Sequence, residues 1–213
     1  MNNQEGVPTT RRERVDRAGR LVNPRVWRSL LLGVTEPTND WHWAFINKRD
    51  TAAYLDSPEP WLAEGAAAML GGYVTRDTRV LEWGAGASTL WFVGAGAEVT
   101  AIETDPDWVA NLEPLVRGRA TLRQCRADDE AYVRQDVVPF DVVLIDADRR
   151  SECAEHVAAH GYTDQIVVFD DSDWPGHQRG VAALSARAGG RQWHFPRLTP
   201  MMTASMTSIF RLS

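Results

Sequence analysis

A glycine-rich turn in the middle of the chain lies between two acidic residues, each of which ends a predicted strand. Glu82 ends the first strand and precedes Gly84 and Gly86, and Glu103 ends the second strand. Glu103 follows the turn by about twenty residues, the spacing of the acid that binds a ribose in nucleotide-binding α/β units. Ligands of open α/β sheets bind at the carboxyl ends of the strands, so the pattern predicts a site for an adenosine-containing cofactor.

The same turn differs from the one that binds dinucleotides. A dinucleotide fingerprint has a third glycine at the position that Thr89 occupies here, where the pyrophosphate meets the helix. A pyrophosphate is also disfavoured by Glu82 at the tip of the strand, whereas an ammonium group is favoured by it. The sequence therefore favours a nucleoside that carries an amino acid over NAD, with Ser88 or Thr89 capping the helix.

Two further groups of acids follow the predicted fourth and fifth strands. Asp146 and Asp148 follow the fourth strand, and Asp170, Asp171 and Asp173 follow the fifth. Neighbouring parallel strands would bring these carboxylates to one cleft, where oxygen ligands suit Mg²⁺. The alternative is that they hydrogen-bond to a substrate and cap loops.

Three potential zinc ligands occupy one face of a predicted helix. Cys153, His156 and His160 lie at positions i, i+3 and i+7. A structural zinc site needs a fourth ligand, which the sequence does not provide, and histidines near the carboxyl end of a helix are favoured by its dipole. We therefore predict no metal ligand among them.

Strands and helices alternate along most of the chain, which predicts βαβ units and a parallel sheet. The carboxyl end departs from this, since two strands with no helix between them must be antiparallel. The predicted fold class is α/β, a Rossmann-like, doubly wound sheet that is mostly parallel and ends in an antiparallel hairpin. The predicted strands cover 79–82, 98–103, 121–126, 141–146, 165–169, 191–198 and 207–212, and the helices cover 57–70, 88–93, 106–117, 128–134, 150–160 and 181–188.

Composition bounds the class of protein. The 213 residues, 44% of them hydrophobic, are enough for one sizeable domain, and no apolar run is long enough to span a bilayer. Seven arginines crowd the first thirty residues and leave an acidic body, which argues against nucleic-acid binding. Two cysteines and no secretory signal favour a reducing cytoplasm.

We expect a disordered basic leader over 1–20, a helix and aromatic arm or lid over 21–56, and the cofactor-binding domain over 57–213.

The glycine turn resembles motif I of the class I S-adenosylmethionine-dependent methyltransferases, with Ser88 at the usual place of the third glycine. The resemblance covers roughly residues 57 to 213. It implies that Glu103 binds the two ribose hydroxyls, that Asp128 meets the adenine amino group, and that Asp146 lies beside the methionine part and the substrate. Trp83 could cover the cofactor or pack against the sheet. The implied cofactor-binding residues are Glu82, Trp83, Gly84, Gly86, Ser88, Glu103, Thr104, Asp128 and Asp146.

The resemblance also implies the activity. We expect methyl transfer from S-adenosylmethionine to a small molecule, O- or N-directed, with S-adenosylhomocysteine as product. A protein that uses this cofactor for other chemistry, or a noncatalytic nucleoside-binding protein, is the alternative. Partners would be a small-molecule substrate, neither nucleic acid nor membrane, and the prediction allows for a homodimer.

A hydroxyl acceptor must lose its proton, and Asp146, His177 and His42 are the candidates to accept it, with Asp146 and His177 as the predicted catalytic residues. The Ile-Asp-Ala-Asp segment is also similar to that of cation-dependent catechol-type O-methyltransferases. This resemblance would imply that Asp146, Asp170 and Asp171 are ligands of Mg²⁺. The Asp170-Asp171 pair and the shorter glycine turn depart from that group, so Mg²⁺ is not favoured. Acceptor recognition is expected from the aromatic arm, Trp41 to Tyr54, and from the loops around Trp174 and Pro200 to Met202.

Overall fold

The computed structural model describes residues 59–116, 118–198 and 204–213, and these form a sheet with helices on both faces. The predicted leader, the aromatic arm with His42, and the loop that contains Pro200 lie outside the described residues. The strands are β1 (Arg79–Trp83), β2 (Glu98–Glu103), β3 (Ala120–Gln124), β4 (Val142–Ile145), β5 (Ile166–Phe169), β6 (Gln192–Leu198) and β7 (Ala204–Arg211). The helices are α1 (Glu64–Gly71), α2 (Ala87–Gly94), α3 (Pro106–Val116), α4 (Glu130–Val133), α5 (Arg150–His160) and α6 (Gln178–Ala188), with a 3-10 turn at Pro175–His177.

The strand order is β3-β2-β1-β4-β5-β7-β6, and β1 to β5 run parallel. β7 is antiparallel to both β5 and β6. The described residues therefore confirm the predicted fold class, including the antiparallel hairpin. The order changes direction between β1 and β4, where a doubly wound sheet opens a crevice for a ligand.

Alternate residues of the central strands pack on opposite faces, as the period of two of a strand requires. In β4, Val142 and Leu144 join the core under α1, α2 and α3, whereas Val143 and Ile145 join the core under α5 and α6. All four side chains are buried. This two-sided burial explains why β4 is a continuous hydrophobic run.

The register places the tips of three strands together. Trp83, the last residue of β1, pairs with Ile145, which in turn pairs with Phe169 at the end of β5. The glycine turn, Asp146 and Asp170 follow these residues directly in the chain. The sheet therefore collects the predicted site residues at one edge.

Several predicted element boundaries differ from the structure, and two of the differences have a clear tertiary cause. The helix predicted over 57–70 begins only at Glu64, because Ala63 has extended backbone and its N–H donates to the Thr207 hydroxyl of β7 at 2.9 Å. The strand predicted from Thr207 begins at Ala204, which pairs with Leu198. Both differences come from pairing with a distant segment, which local sequence does not reveal. None of the helices described is both long and apolar enough to cross a membrane.

Candidate functional site

The glycine turn passes very close to the end of β4. Gly84 has a φ of +96°, and a Cβ built on it would lie 2.5 Å from the carbonyl oxygen of Asp146. Its N–H donates to the carbonyl oxygen of Ile102 at 2.8 Å. A residue with a side chain would therefore meet both backbone strain and a clash, so glycine is required here.

The carboxyl group of Glu82 turns inward, beneath the turn. Its side chain is fully buried and accepts hydrogen bonds from the hydroxyls of Ser88 and Thr89, the latter at 2.6 Å. Burial raises the pKa of Glu82 to about 8, so the group is mostly protonated at neutral pH. The predicted contact between Glu82 and an ammonium group does not fit this orientation; Glu82 and Ser88 instead hold the turn against the first turn of α2.

Thr89 completes this arrangement. Its hydroxyl donates to Glu82 and accepts a hydrogen bond from the N–H of Gly86 at 2.9 Å. The residue that breaks the dinucleotide fingerprint therefore connects both ends of the turn to the strand tip.

Trp83 packs against the sheet, the second of the two alternatives that its sequence position left open. Its side chain is fully buried in the core under α5 and α6, and its Nε1–H donates to the carbonyl oxygen of Tyr132 at 2.7 Å. A contact between Trp83 and the cofactor stays a prediction, and the full burial of the side chain favours the packing role.

Glu103 joins the tip of β2 to the glycine turn. Its Oε2 accepts from the N–H of Ala85 at 3.1 Å, and its Oε1 accepts from the N–H groups of Thr104 and Asp105 at 2.7 and 2.9 Å. The side chain remains partly exposed, and two carboxylate oxygens offer about four lone pairs. Glu103 can therefore accept further hydrogen bonds from a ligand that lies over the turn.

Two more predicted cofactor residues lie around this edge. The Thr104 hydroxyl donates to Oδ2 of Asp148 at 3.2 Å, which links the tips of β2 and β4. Asp128 lies on an exposed loop after β3 and forms a two-point ion pair with Arg126, with distances of 2.7 and 2.9 Å. The hydrogen bond from Arg126 lowers the pKa of Asp128, so its carboxylate is ionised at neutral pH.

Asp146 lies between the glycine turn and the end of β5. Its Oδ1 pairs with Nη2 of Arg150 at 2.8 Å, while no described residue donates a hydrogen bond to its Oδ2. Burial raises the pKa of Asp146 to about 7, although the Arg150 guanidinium acts in the opposite direction. The carboxyl group retains 24% exposure and can meet a ligand through Oδ2.

The two acids after β5 are held by other parts of the chain. Asp170 is nearly fully buried; its Oδ1 accepts from the Thr207 hydroxyl at 2.6 Å and its Oδ2 pairs with Arg197 at 3.2 Å. Asp171 accepts from the Ser205 hydroxyl at 2.6 Å. The predicted convergence of Asp146, Asp170 and Asp171 is therefore seen, but with arginine and hydroxyl partners.

His177 ends the 3-10 turn after β5. Its Nδ1 lies 2.9 Å from the carbonyl oxygen of Asp171, and its ring contacts those of Phe169 and Trp174. A carbonyl oxygen only accepts, so Nδ1 carries the hydrogen and Nε2 of the neutral ring carries the lone pair. This tautomer suits a proton acceptor.

The cysteine and histidines of α5 have ordinary roles. Cys153 is buried, which raises the pKa of its thiol to about 12. His156 donates from Nε2 to the carbonyl oxygen of Gln135 at 2.7 Å, and the Nδ1 of His160 donates to the carbonyl oxygen of His156 at 2.9 Å. No group of three potential metal ligands is found in the described ranges.

Sequence reasoning missed Arg150 and Arg197, which contact the carboxylates of the site. Arg150 begins α5 and follows Asp146 by only four residues, so its nearness in sequence was a signal. Arg197 belongs to an edge strand far along the chain, and nothing local connects it to Asp170.

No family model matches the sequence, and no curated protein matches it. Solved structures do match the fold. An O-methyltransferase of Streptomyces achromogenes, involved in tomaymycin synthesis and crystallised with S-adenosylmethionine, is 19% identical, with a TM-score of 0.54 over 96% of this chain and 100% of that one. An O-methyltransferase of Bacillus cereus, crystallised with S-adenosylhomocysteine, is 17% identical, with a TM-score of 0.54 over 93% and 97%.

A third solved structure widens the range of acceptors found on this fold. It is a precorrin-6y C5,15-methyltransferase of Geobacter metallireducens, 13% identical, with a TM-score of 0.50 over 76% of this chain and 96% of that one. Identities this low establish architecture only. The chain has the Rossmann-like fold of the class I S-adenosylmethionine-dependent methyltransferases.

Proposed function

We propose that the protein is an S-adenosylmethionine-dependent methyltransferase that acts on a small molecule. The observation that carries the proposal is the pairing of Glu103 with the glycine turn: a partly exposed carboxylate at the tip of β2 accepts the N–H of Ala85. The carboxylate lies beside the glycine turn and keeps part of its surface exposed, which supports a ribose-binding role for Glu103. The O-methyltransferases of the same fold that were crystallised with this cofactor or its product support the assignment.

The residues at the edge fit the cofactor by chemistry. Glu103 would accept hydrogen bonds from the two ribose hydroxyls, and the exposed carboxylate of Asp128 would accept one from the adenine amino group. The ammonium end would meet Oδ2 of Asp146 rather than Glu82, whose carboxyl group is enclosed by Ser88 and Thr89. Thr104, which follows Glu103, and Gly86, which belongs to the glycine turn, would also line the cofactor site.

The bound cofactor would supply an electrophilic methyl group, and the protein would supply position and a proton acceptor. We assign the proton acceptor to His177, whose Nδ1–H is held by the carbonyl of Asp171. Asp146 would orient the cofactor by holding its ammonium end through Oδ2. The exposed ring of Trp174, stacked on His177, would provide an apolar wall for an organic acceptor.

The class of acceptor is a low-molecular-weight compound methylated on oxygen or nitrogen. We also propose a reducing, cytoplasmic location, which the free thiols of Cys125 and Cys153 support. The second candidate, other chemistry on the same cofactor, would use the same binding groups and differ in the product.

Calorimetric titration of the full chain with S-adenosylmethionine, S-adenosylhomocysteine and NAD tests the proposal. We expect both adenosyl compounds to bind and NAD not to bind. Mass spectrometry of incubations with panels of phenols, alcohols and amines should then detect S-adenosylhomocysteine. Accumulation of methylthioadenosine instead would favour the second candidate, and binding of NAD alone would refute both.

A further inference from the structure

An arginine lies at the centre of the acids that follow β4 and β5. Arg150, the first residue of α5, is 15% exposed and directs its guanidinium between Asp146 and Asp171. Its Nη2 pairs with Oδ1 of Asp146 at 2.8 Å and its Nη1 pairs with Oδ2 of Asp171 at 3.2 Å. One planar cation therefore joins the tips of two adjacent strands.

Backbone carbonyls hold the rest of the guanidinium. Nε of Arg150 donates to the carbonyl oxygen of Ala147 at 2.9 Å, and Nη1 also donates to that of Asp170 at 2.9 Å. All three nitrogens thus have partners, so the side chain is fastened in one orientation. The preceding residue, Arg149, points away and binds Glu152 and the carbonyl of Ala127.

The oxygens of Asp170, and the Asp171 oxygen that does not pair with Arg150, already accept hydrogen bonds. Thr207 and Arg197 contact the two oxygens of Asp170, and Ser205 contacts Oδ1 of Asp171. Mg²⁺ needs several oxygens turned toward one point at about 2.1 Å. Here every carboxylate oxygen of the cluster except Oδ2 of Asp146 faces guanidinium or hydroxyl hydrogens, so the donor set does not fit a divalent cation.

We propose that Arg150 is the resident cation of this cluster and occupies the position of a divalent metal ion. Its single positive charge is shared by Asp146 and Asp171, and Oδ2 of Asp146 is left for a ligand. Arg150 is thus a positioning residue that acts through Asp146. A guanidinium suits this role because its charge is permanent and its planar fork matches two carboxylates at once.

The proposal predicts how the cluster behaves toward divalent cations. The protein should need no added metal, and chelators should leave its ligand binding unchanged. Removing the guanidinium should leave two carboxylates and the carbonyl of Asp170 around a vacated position, which are the hard oxygen ligands that Mn²⁺ and Mg²⁺ prefer. Loss of Arg150 should therefore create a cation site.

Mn²⁺ binding, followed by electron paramagnetic resonance and by thermal unfolding, tests this in the full chain. We expect no saturable binding in the wild type, and binding at least about tenfold tighter in Arg150→Met. Arg179→Met is the matched control, because Arg179 is an exposed residue of α6 that pairs with Glu155 outside the cluster. Arg179→Met should show no saturable Mn²⁺ binding, as expected for the wild type.

Two results would overturn the proposal. One is saturable Mn²⁺ binding by the wild type that Asp146→Asn abolishes, a measurement that stands even if Arg150→Met does not fold. The other is a folded Arg150→Met that binds Mn²⁺ no better than the control. Arg150→Lys, which keeps the charge, should still exclude Mn²⁺, and binding by it would contradict the charge argument. Methyl transfer is not needed for any of these readouts, so they are independent of the proposed activity.

Discussion

The hydroxyl of Thr89 donates a 2.6 Å hydrogen bond to the buried carboxyl group of Glu82 and accepts one from the N–H of Gly86. This one side chain connects the first turn of α2 to the tip of β1 and to the glycine turn between them. A glycine at this position, as in dinucleotide-binding folds, could not make either contact. Thr89, which replaces the third glycine of that fingerprint, therefore fixes the conformation of the turn.

The burial of Glu82 makes stability depend on pH. Its pKa in the folded protein, about 8, lies above its ordinary value of 4.5, so the folded chain keeps a proton that the unfolded chain releases. The resulting contribution is present in full below about pH 4.5 and is lost as the pH rises toward about 8. Glu82→Gln cannot ionise and should remove this part of the slope. Urea unfolding of both proteins at several pH values between 5 and 8.5 measures it.

Equal slopes for the wild type and Glu82→Gln would show that Glu82 does not carry the pH dependence. Glu98→Gln is a suitable control, since Glu98 is exposed at the start of β2, and its slope should match that of the wild type.

Gly84→Ala should destabilise the fold strongly. The new Cβ would lie 2.5 Å from the carbonyl oxygen of Asp146 at a φ of +96°. Overpacking and left-handed strain together should cost about 2 to 4 kcal/mol of the free energy of unfolding. Chemical denaturation measures the loss. In Gly94→Ala, the added Cβ meets nothing within 4 Å, so its stability should stay the same or rise slightly. Similar effects of the two substitutions would refute the close-approach argument.

His177→Ala should slow methyl transfer without weakening cofactor binding. If His177 takes the proton of the acceptor, its loss should lower kcat about 10²- to 10⁴-fold. The KM for S-adenosylmethionine should change little, because the proposed cofactor contacts follow β1 to β4, whereas His177 follows β5. Steady-state kinetics with a hydroxyl acceptor separate the two parameters. His160→Ala, on an exposed histidine at the carboxyl end of α5, should leave both unchanged.

An unaltered kcat in His177→Ala would transfer the role of proton acceptor to Asp146. The kcat values of Asp146→Asn and His177→Ala, measured at the same pH, would then show which of the two groups accepts the proton.

Local sequence predicted the elements whose boundaries are set by their own residues. β2, predicted over 98–103, and α5, predicted over 150–160, match the structure at both ends. The start of β7 was placed three residues late, because Ala204 and Ser205 have weak strand preference and become strand only by pairing with β6. Local sequence thus showed that a strand is present, whereas pairing with a distant strand set where β7 begins.

The site was predictable to the level of strand tips. The positions of Glu103, Asp146 and Asp170 follow from which residues end parallel strands, and the structure brings those tips to one edge. The direction of each side chain was not predictable. Glu82 turns inward because Ser88 and Thr89 are within reach below the turn, and Arg197 meets Asp170 from a strand added at the far end of the chain.

The most direct test of the proposed function is calorimetric titration of Glu103→Ala with S-adenosylmethionine, beside the wild type and Glu98→Ala. The control lies at the opposite end of the same strand. We expect the wild type and Glu98→Ala to bind equally well, and Glu103→Ala to lose about 1.5 to 3 kcal/mol of binding free energy with the charge-assisted hydrogen bonds to the ribose. Unchanged affinity in a folded Glu103→Ala, or a wild type that binds NAD and not S-adenosylmethionine, would contradict the proposed function.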